Sequence, residues 1–328
     1  MVVRGGHLLI VRGGLVVWRS SRMSYPLEDV GSAAFGPSGA AFSITKGDGS
    51  VLYVAGPGAP ERVVAHDEEP VGWISSGKLV TSRWRPDGSH PDLVVRAPDG
   101  SRPAVAAPRV LSFGPWSPWT GAALFVTRAG RLERLDGSGK TTVADVRALG
   151  FDLRPEAMIP TIGRLADGRI VVVAPNRIAV LSPGGRVEAS ASFTQPRGGW
   201  GWVGAPPDGL GVEPGTGTVV FLVTRWDYTP GPKGWKGWEG VYALPEGASR
   251  GSLLYGGKMY MAPCAHTARM SWHGSWLLYS ACEGRAVAID TTGGARPIDL
   301  TRIGRRLPTP PDYRRFPLED AVWAAGPS

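Results

Sequence analysis

The chain has 328 residues, 42% of them hydrophobic, with 47 glycines and 30 prolines; this is too apolar for a disordered chain and too densely punctuated for a helical one. Lysine and arginine outnumber the acids 36 to 28, a net charge of +8 carried with six lysines, which suits an acidic polymer or an anionic surface but lacks the dense basic stripe of a specific nucleic-acid binder. No apolar run reaches the length of a membrane span.

Met1 to Arg12 reads as a strand, not as the charged head and long apolar core of an export signal, so an exported form would already have lost its leader. His7–Val11, Leu15–Arg19 and Tyr25–Leu27 follow as three short strands. Ala33–Phe35, Ala40–Thr45, Ser50–Ala55 and Glu61–Ala65 then make a set of four, broken by Gly-Pro-Ser-Gly, Gly-Asp-Gly and Gly-Pro-Gly-Ala-Pro. Similar sets of four recur, giving approximate boundaries of 31–66, 69–107, 108–146, 147–193, 199–257 and 264–300. In the third of these, Trp116 and Trp119 flank the first turn and are expected to pack between repeats. The same set contains Asp136-Gly137-Ser138-Gly139-Lys140-Thr141, which ends like a phosphate-binding loop. The first glycine of that pattern falls on Arg134, and a strand follows where a helix is needed, so the segment is a hairpin turn.

The set from Trp200 to Tyr255 carries an insertion, Arg225-Trp226-Asp227-Tyr228-Thr229-Pro230-Gly231-Pro232-Lys233-Gly234-Trp235-Lys236-Gly237-Trp238-Glu239, where a short turn is expected. Long loops in compact folds are functional or disordered, and this one is rich in aromatic residues. With Trp200 and Trp202 just upstream, it offers Arg225, Trp226, Tyr228, Trp235 and Trp238 as ligand-binding candidates; the alternative is that the rings fold back as cover. Further on, Cys264 and Cys282 flank a hairpin. A three-residue turn at Trp272–Gly274 sets them opposite each other and predicts a disulfide; two buried thiols are the alternative. His266 opens the inner strand of this set, His273 falls in its turn, and His66 and His90 fall in loops. The connector that follows holds Arg302, Arg305, Arg306, Arg314 and Arg315, read as solvated charge.

The ends of the chain match. Pro26-Leu27-Glu28-Asp29-Val30 leads into a strand and Gly36-Pro37-Ser38; Pro317-Leu318-Glu319-Asp320-Ala321 leads into Val322–Ala325 and Gly326-Pro327-Ser328. The last strand, about 320–328, is therefore expected to join residues 6–30 in one shared sheet. This reading is a single all-β domain over 1–328: a seven-bladed propeller of four-stranded antiparallel blades, closed by one carboxyl-terminal and three amino-terminal strands, with six or eight blades as alternatives. The turns Phe35-Gly36-Pro37-Ser38-Gly39, Trp116-Ser117-Pro118 and Met270-Ser271-Trp272-His273-Gly274, with the strands Ala41–Ser43 and Val51–Val54, resemble TolB-like propeller repeats. That resemblance supports the fold and implies little about function.

Nucleophile elbows, zinc-spaced cysteines and histidines, and calcium loops are missing, so no cofactor and no metal are expected. The leading expectation is an exported, non-catalytic binding or assembly scaffold, extracellular or on the cell surface, that presents a propeller face and an aromatic loop to a protein or glycan partner. An anionic partner suits the net charge. The alternative is a polysaccharide hydrolase or lyase with its site in a central channel, for which His266, Asp227 and Glu239 are the candidates. A disulfide favours an oxidising compartment. The chain has one asparagine, Asn176, and one glutamine, Gln195, which fits a thermophile or a GC-rich genome.

Overall fold

The computed structural model describes residues 2–4, 7–12, 15–21, 30–36, 39–46, 49–56, 60–86, 90–113, 121–153, 161–165, 167–174, 176–192, 199–203, 210–213, 215–231, 234–259, 269–273, 275–281 and 285–300. Their regular structure is antiparallel strand, in two compact units, Met1–Val146 and Arg147–Ser328. Among the described residues, no helix is long and apolar enough to cross a membrane.

The first unit holds four sheets. The first is β1 (Val2–Arg4), β2 (His7–Arg12) and β3 (Leu15–Arg19), hydrogen-bonded in that order. The second is β4 (Val30–Gly36), β5 (Gly39–Lys46), β6 (Gly49–Ala55) and β7 (Arg62–His66). The third is β8 (Glu68–Trp73), β9 (Leu79–Arg83), β10 (Asp92–Arg96) and β11 (Ala104–Ala107), and the fourth is β12 (Ser112–Phe113), β13 (Ala122–Val126), β14 (Arg131–Asp136) and β15 (Gly139–Asp145). Each is a meander in which sequence neighbours pair. In the third sheet both faces are apolar and both are covered: Trp73 and Leu79 pack with Ala34, Ala41 and Leu52 of the second sheet, while Val71, Val80 and Leu93 pack with Ala123, Phe125 and Leu135 of the fourth. Strands closed in on both sides lose the polar alternation of a half-exposed sheet, which is why Leu79–Ser82 of β9 is buried at every position.

The second unit repeats the scheme. The fifth sheet is β16 (Thr161–Arg164), β17 (Ile170–Ala174), β18 (Arg177–Leu181) and β19 (Val187–Ser192). The sixth is β20 (Gly199–Val203), β21 (Leu210–Val212), β22 (Val219–Gly231), β23 (Gly234–Leu244) and β24 (Ser252–Met259); β20 and β21 both pair with β22. The seventh is β25 (Arg269–His273), β26 (Trp276–Ala281), β27 (Arg285–Asp290) and β28 (Ile298–Asp299). The sixth is packed on both faces: Val219, Phe221, Val223 and Leu244 meet Val171, Val173, Ile178 and Val180 of the fifth, and Val220, Leu222 and Val241 meet Leu277, Tyr279 and Val287 of the seventh.

Turn chemistry recurs where the third strand ends. Asp99, Asp136 and Asp290 each accept both the backbone N–H and the hydroxyl of the Ser or Thr two residues on, Ser101, Ser138 and Thr292. A carboxylate fixing its own backbone in this way preorganises the hairpin. The segment that ends like a phosphate loop is such a turn: Asp136 pairs with Gly139 in the register, and Gly139 has φ +123°, a value that favours glycine.

Several expectations are corrected. Met1 to Arg12 is not one strand: β1 folds back on β2, with Val2 opposite Leu9. The side of β2 expected to receive the closing strand is thus occupied, along His7–Leu9, by Val2–Arg4. Tyr25–Leu27, Trp116, Trp119 and the basic connector, like the closing strand at 320–328, lie outside the described residues. His66 ends β7 and His273 ends β25, so neither is a loop residue. In the hairpin of β25 and β26, His273 pairs with Trp276 across a two-residue turn. The register that set Cys264 opposite Cys282 therefore does not hold in the described strands, and both cysteines lie outside the described residues.

Candidate functional site

The segment expected to be an aromatic loop is strand. β22 and β23 run 13 and 11 residues, while β17 and β18 of the fifth sheet have five each and β26 and β27 of the seventh have six. Beyond Leu222↔Val241, the β22–β23 ladder continues through five more rows, from Val223↔Gly240 to Asp227↔Lys236, and a bulge then leads to Gly231↔Gly234. At 3.4 Å per residue, five rows extend a sheet by about 17 Å.

The flanking strands lengthen with them. β20 pairs with the added part of β22, Val203 opposite Val223 and Gly199 opposite Asp227, while β21 pairs with the original part, Leu210 opposite Phe221. On the other side, β24 continues to Met259 opposite Gly237. Three separate stretches of sequence thus build one four-stranded tier, β20–β22–β23–β24. The register sets Trp200 opposite Trp226, Trp202 opposite Thr224, Arg225 opposite Trp238, and Trp238 opposite Lys258. Tyr228 falls in the bulge between Asp227 and Gly231, and Trp235 begins the return strand next to Gly234.

Rows alternate in the face they serve. Positions 200, 202, 226 and 239 belong to the face that carries Val220, Leu222 and Val241 lower down; positions 225, 238 and 258 belong to the face of Phe221 and Val223. Trp238 shows how the tier accommodates its rings. Its indole lies over Gly240 and Gly256, a directly opposed pair: a Cβ on Gly240 would fall inside the ring, and one on Gly256 would come within 2.7 Å of it. Trp238 meets Tyr242 edge-on at 6.0 Å, and Tyr242 stacks on Phe221 at 5.8 Å. Trp238 is half-buried, so the folded-back arrangement describes it better than a free loop ring does.

The catalytic candidates are not brought together. Positions 227 and 239 are three rows apart and serve opposite faces, which does not make the facing carboxylate pair of a glycosidase. Glu239 is buried, at 4% exposure. His266 lies outside the described residues. Among the described residues, no group of three or more His, Cys, Asp or Glu side chains is placed to hold a metal ion.

The first unit contains a groove of about 620 Å³ lined by Val54, Gly56, Pro60, Glu61, Arg62, Pro98 and Asp99. Its charges are satisfied internally: Arg62 reaches the Asp99 backbone carbonyl and carboxylate, and Glu61 accepts the Ser21 N–H. The hydrogen bond from the Ser101 hydroxyl, followed by that from its N–H, holds the Asp99 carboxyl down to about 2. A second polar centre lies in the third sheet. Arg85 binds Asp92 through both carboxylate oxygens at 2.9–3.2 Å, and the Arg109 N–H donates to Asp92 at 2.9 Å. Burial opposes ionisation of Asp92, but the Arg109 and Arg85 hydrogen bonds outweigh it and hold the carboxyl below its ordinary range. Sequence reading missed this centre because, of this connection, it singled out His90 alone, as a loop residue.

No family model and no curated protein matches the chain. Solved structures do match. BamB from Moraxella catarrhalis, a β-propeller, is 13% identical with a TM-score of 0.50, over 91% of this chain and 84% of that one. AztD from Citrobacter koseri is 11% identical with a TM-score of 0.48, over 82% and 71%. YCF48 from Cyanidioschyzon merolae is 11% identical with a TM-score of 0.44, over 84% and 86%. The likeness to BamB shows a propeller-type repeat fold; at this identity it carries no function.

Proposed function

We propose that the chain is a non-catalytic binding or assembly protein, exported to the cell surface or beyond, in which seven TolB-like sheets close into a ring and the tier of the sixth sheet meets a glycan or protein partner. The observation that carries this reading is the tier itself. Strand segments from 199–203, 223–227, 236–240 and 256–259 pair in register beyond the length of the neighbouring sheets. Of the added rows, Val223 belongs to the cluster that joins the sixth sheet to the fifth, and Trp238 meets the edge of that cluster through Tyr242. Its tryptophans alternate with glycines, a composition that makes flat aromatic surface at low side-chain entropy.

The test is a panel of soluble neutral and acidic glycans titrated into the intact chain and into a Trp200→Ala/Trp226→Ala variant. Saturable binding without turnover, weakened about tenfold or more in the variant, is expected, since an aromatic anchor contributes on the order of 2 kcal/mol. Turnover that disappears in His266→Ala would replace this reading with a polysaccharide-acting enzyme. Equal affinity in the parent and the double variant would remove the tier from the site.

A further inference from the structure

The loop between β9 and β10 contains an exposed aromatic residue set among arginines. Trp84 is 48% exposed and lies between Arg83 and Arg85. The loop is held at both ends. Arg85 is bound bidentately by the buried Asp92, and the Val110 N–H donates to the Pro91 carbonyl at 2.9 Å. Asp92 is central: Arg83 is its direct partner across the sheet, and its carboxylate also accepts the Arg109 N–H.

Three arginines therefore surround one carboxylate, and Arg85 uses it. Glu68, which is also opposite Arg83, is bound by Arg96 at 2.8 and 3.0 Å and by the Thr81 hydroxyl at 2.7 Å. Neither the Arg83 nor the Arg109 guanidinium makes a hydrogen bond or an ion pair within 4 Å among the described residues, although the Arg83 charge also acts on Asp92 from farther off. Arg109 is exposed, and its φ of +48° is a conformation that a non-glycine residue rarely adopts. The half-buried hydrogen bond from its N–H to Asp92 holds that conformation in place.

The pattern recurs. Leu79-Val80-Thr81-Ser82-Arg83-Trp84 ends the second strand of the third sheet, and Leu222-Val223-Thr224-Arg225-Trp226 runs along the corresponding strand of the sixth. In both sheets the connection to the following strand, or the strand itself, is longer than in the second, fourth and fifth sheets.

We propose that Arg83, Trp84 and Arg109 form a binding surface for an acidic polysaccharide. A uronate ring offers an apolar C–H face to the indole and a carboxylate to a guanidinium, matching the exposed Trp84 ring and the exposed Arg109. A protein partner fits less well, because hot-spot tryptophans sit in apolar surrounds that exclude water, and Trp84 is flanked by charge. Nucleic acid would call for a longer track of cations along a phosphate chain. This surface is separate from the tier of the sixth sheet and stands without it.

The experiment is calorimetric titration of the full chain with polygalacturonate and with the same polymer methyl-esterified, alongside poly-glutamate and single-stranded poly-dT. Binding to polygalacturonate alone is expected. Trp84→Ala should weaken it about tenfold, Trp84→Phe should retain most of it, and Arg83→Gln/Arg109→Gln should weaken it about a hundredfold, given the strength of charge-assisted bonds. All three positions of change are at least partly exposed, so unchanged melting of the variants confirms that folding is intact. Three results would overturn the proposal: no binding of polygalacturonate, equal affinity in Trp84→Ala, or equal binding of poly-glutamate or poly-dT with the same variant dependence. Loss confined to Trp200→Ala/Trp226→Ala would overturn it too, while leaving the tier as the site.

Discussion

Glu68 and Arg96 form an ion pair with side-chain exposures of 2% and 7%, joined by two hydrogen bonds, and Arg96 also donates to the Gly100 carbonyl. Removing one partner strands the other charge in the sheet, so Glu68→Ala should cost about 3–5 kcal/mol. Replacing both, as Glu68→Leu/Arg96→Met, should cost far less, and denaturant unfolding of the two variants would show the difference. The turn aspartate Asp99 behaves differently because it is exposed. Asp99 is held at about 2 by Ser101, against an ordinary 3.8. A carboxyl lowered on folding contributes stability above its unfolded value and loses that contribution as pH falls through the folded one, here between roughly 4 and 2. Carboxyl-detected NMR should therefore find the Asp99 midpoint near 2 and find it raised in Ser101→Ala; an unchanged midpoint would refute the assigned cause. At this scale the turn chemistry of Asp136-Gly137-Ser138 was legible, because a carboxylate two residues before a hydroxyl acts locally. The Glu68–Arg96 pair was not legible, since it joins residues 28 apart in sequence through a register that the strand pattern leaves open.

At the scale of the element, the short strands and their glycine-rich turns could be read from period-2 patterning and turn residues. The segment from Arg225 to Glu239 could not. Its prolines at 230 and 232 suggest a loop, but Pro230 lies in the bulge between Asp227 and Gly231 while the ladder before it stays paired. Spacings such as Trp200-Gly201-Trp202 and Gly237-Trp238 carried the strand signal, with glycine opposite or beside each ring. The opposed pair Gly240 and Gly256 provides the flat floor for Trp238. Gly240→Ala should displace that indole and cost about 1–3 kcal/mol by overpacking, read as a lowered unfolding midpoint with a blue-to-red shift in tryptophan emission. A parent-like midpoint would mean that the ring does not lie there. The register expected for the β25–β26 hairpin failed for a related reason: one hairpin turn, placed at Trp272–Gly274 instead of after His273, moves every partner along the strand.

For the whole molecule, the likeness to BamB and the seven meandering sheets agree on a propeller-type repeat fold. The matched Pro-Leu-Glu-Asp passages call for a strand from residues 320–328 beside β2, a side that Val2–Arg4 holds along His7–Leu9. Deletion of 319–328 and deletion of 1–5 separate the two possible seams. If the carboxyl-terminal strand closes the ring, its removal should lower the melting midpoint of the entire chain while removal of 1–5 does little; the reverse result would make β1 the seam. Length, glycine and proline density and repeat spacing disclosed the architecture because each sheet is built locally, and the ligand stayed hidden because binding depends on which rows of distant strands align. The central claim is that the tier of the sixth sheet is a binding surface. Its most direct test is amide hydrogen exchange on the intact chain, free and saturated with the tightest-binding glycan of the panel. The account predicts added protection concentrated at residues 199–203, 223–227, 236–240 and 256–259, and unchanged exchange in those four strands with protection elsewhere would contradict it.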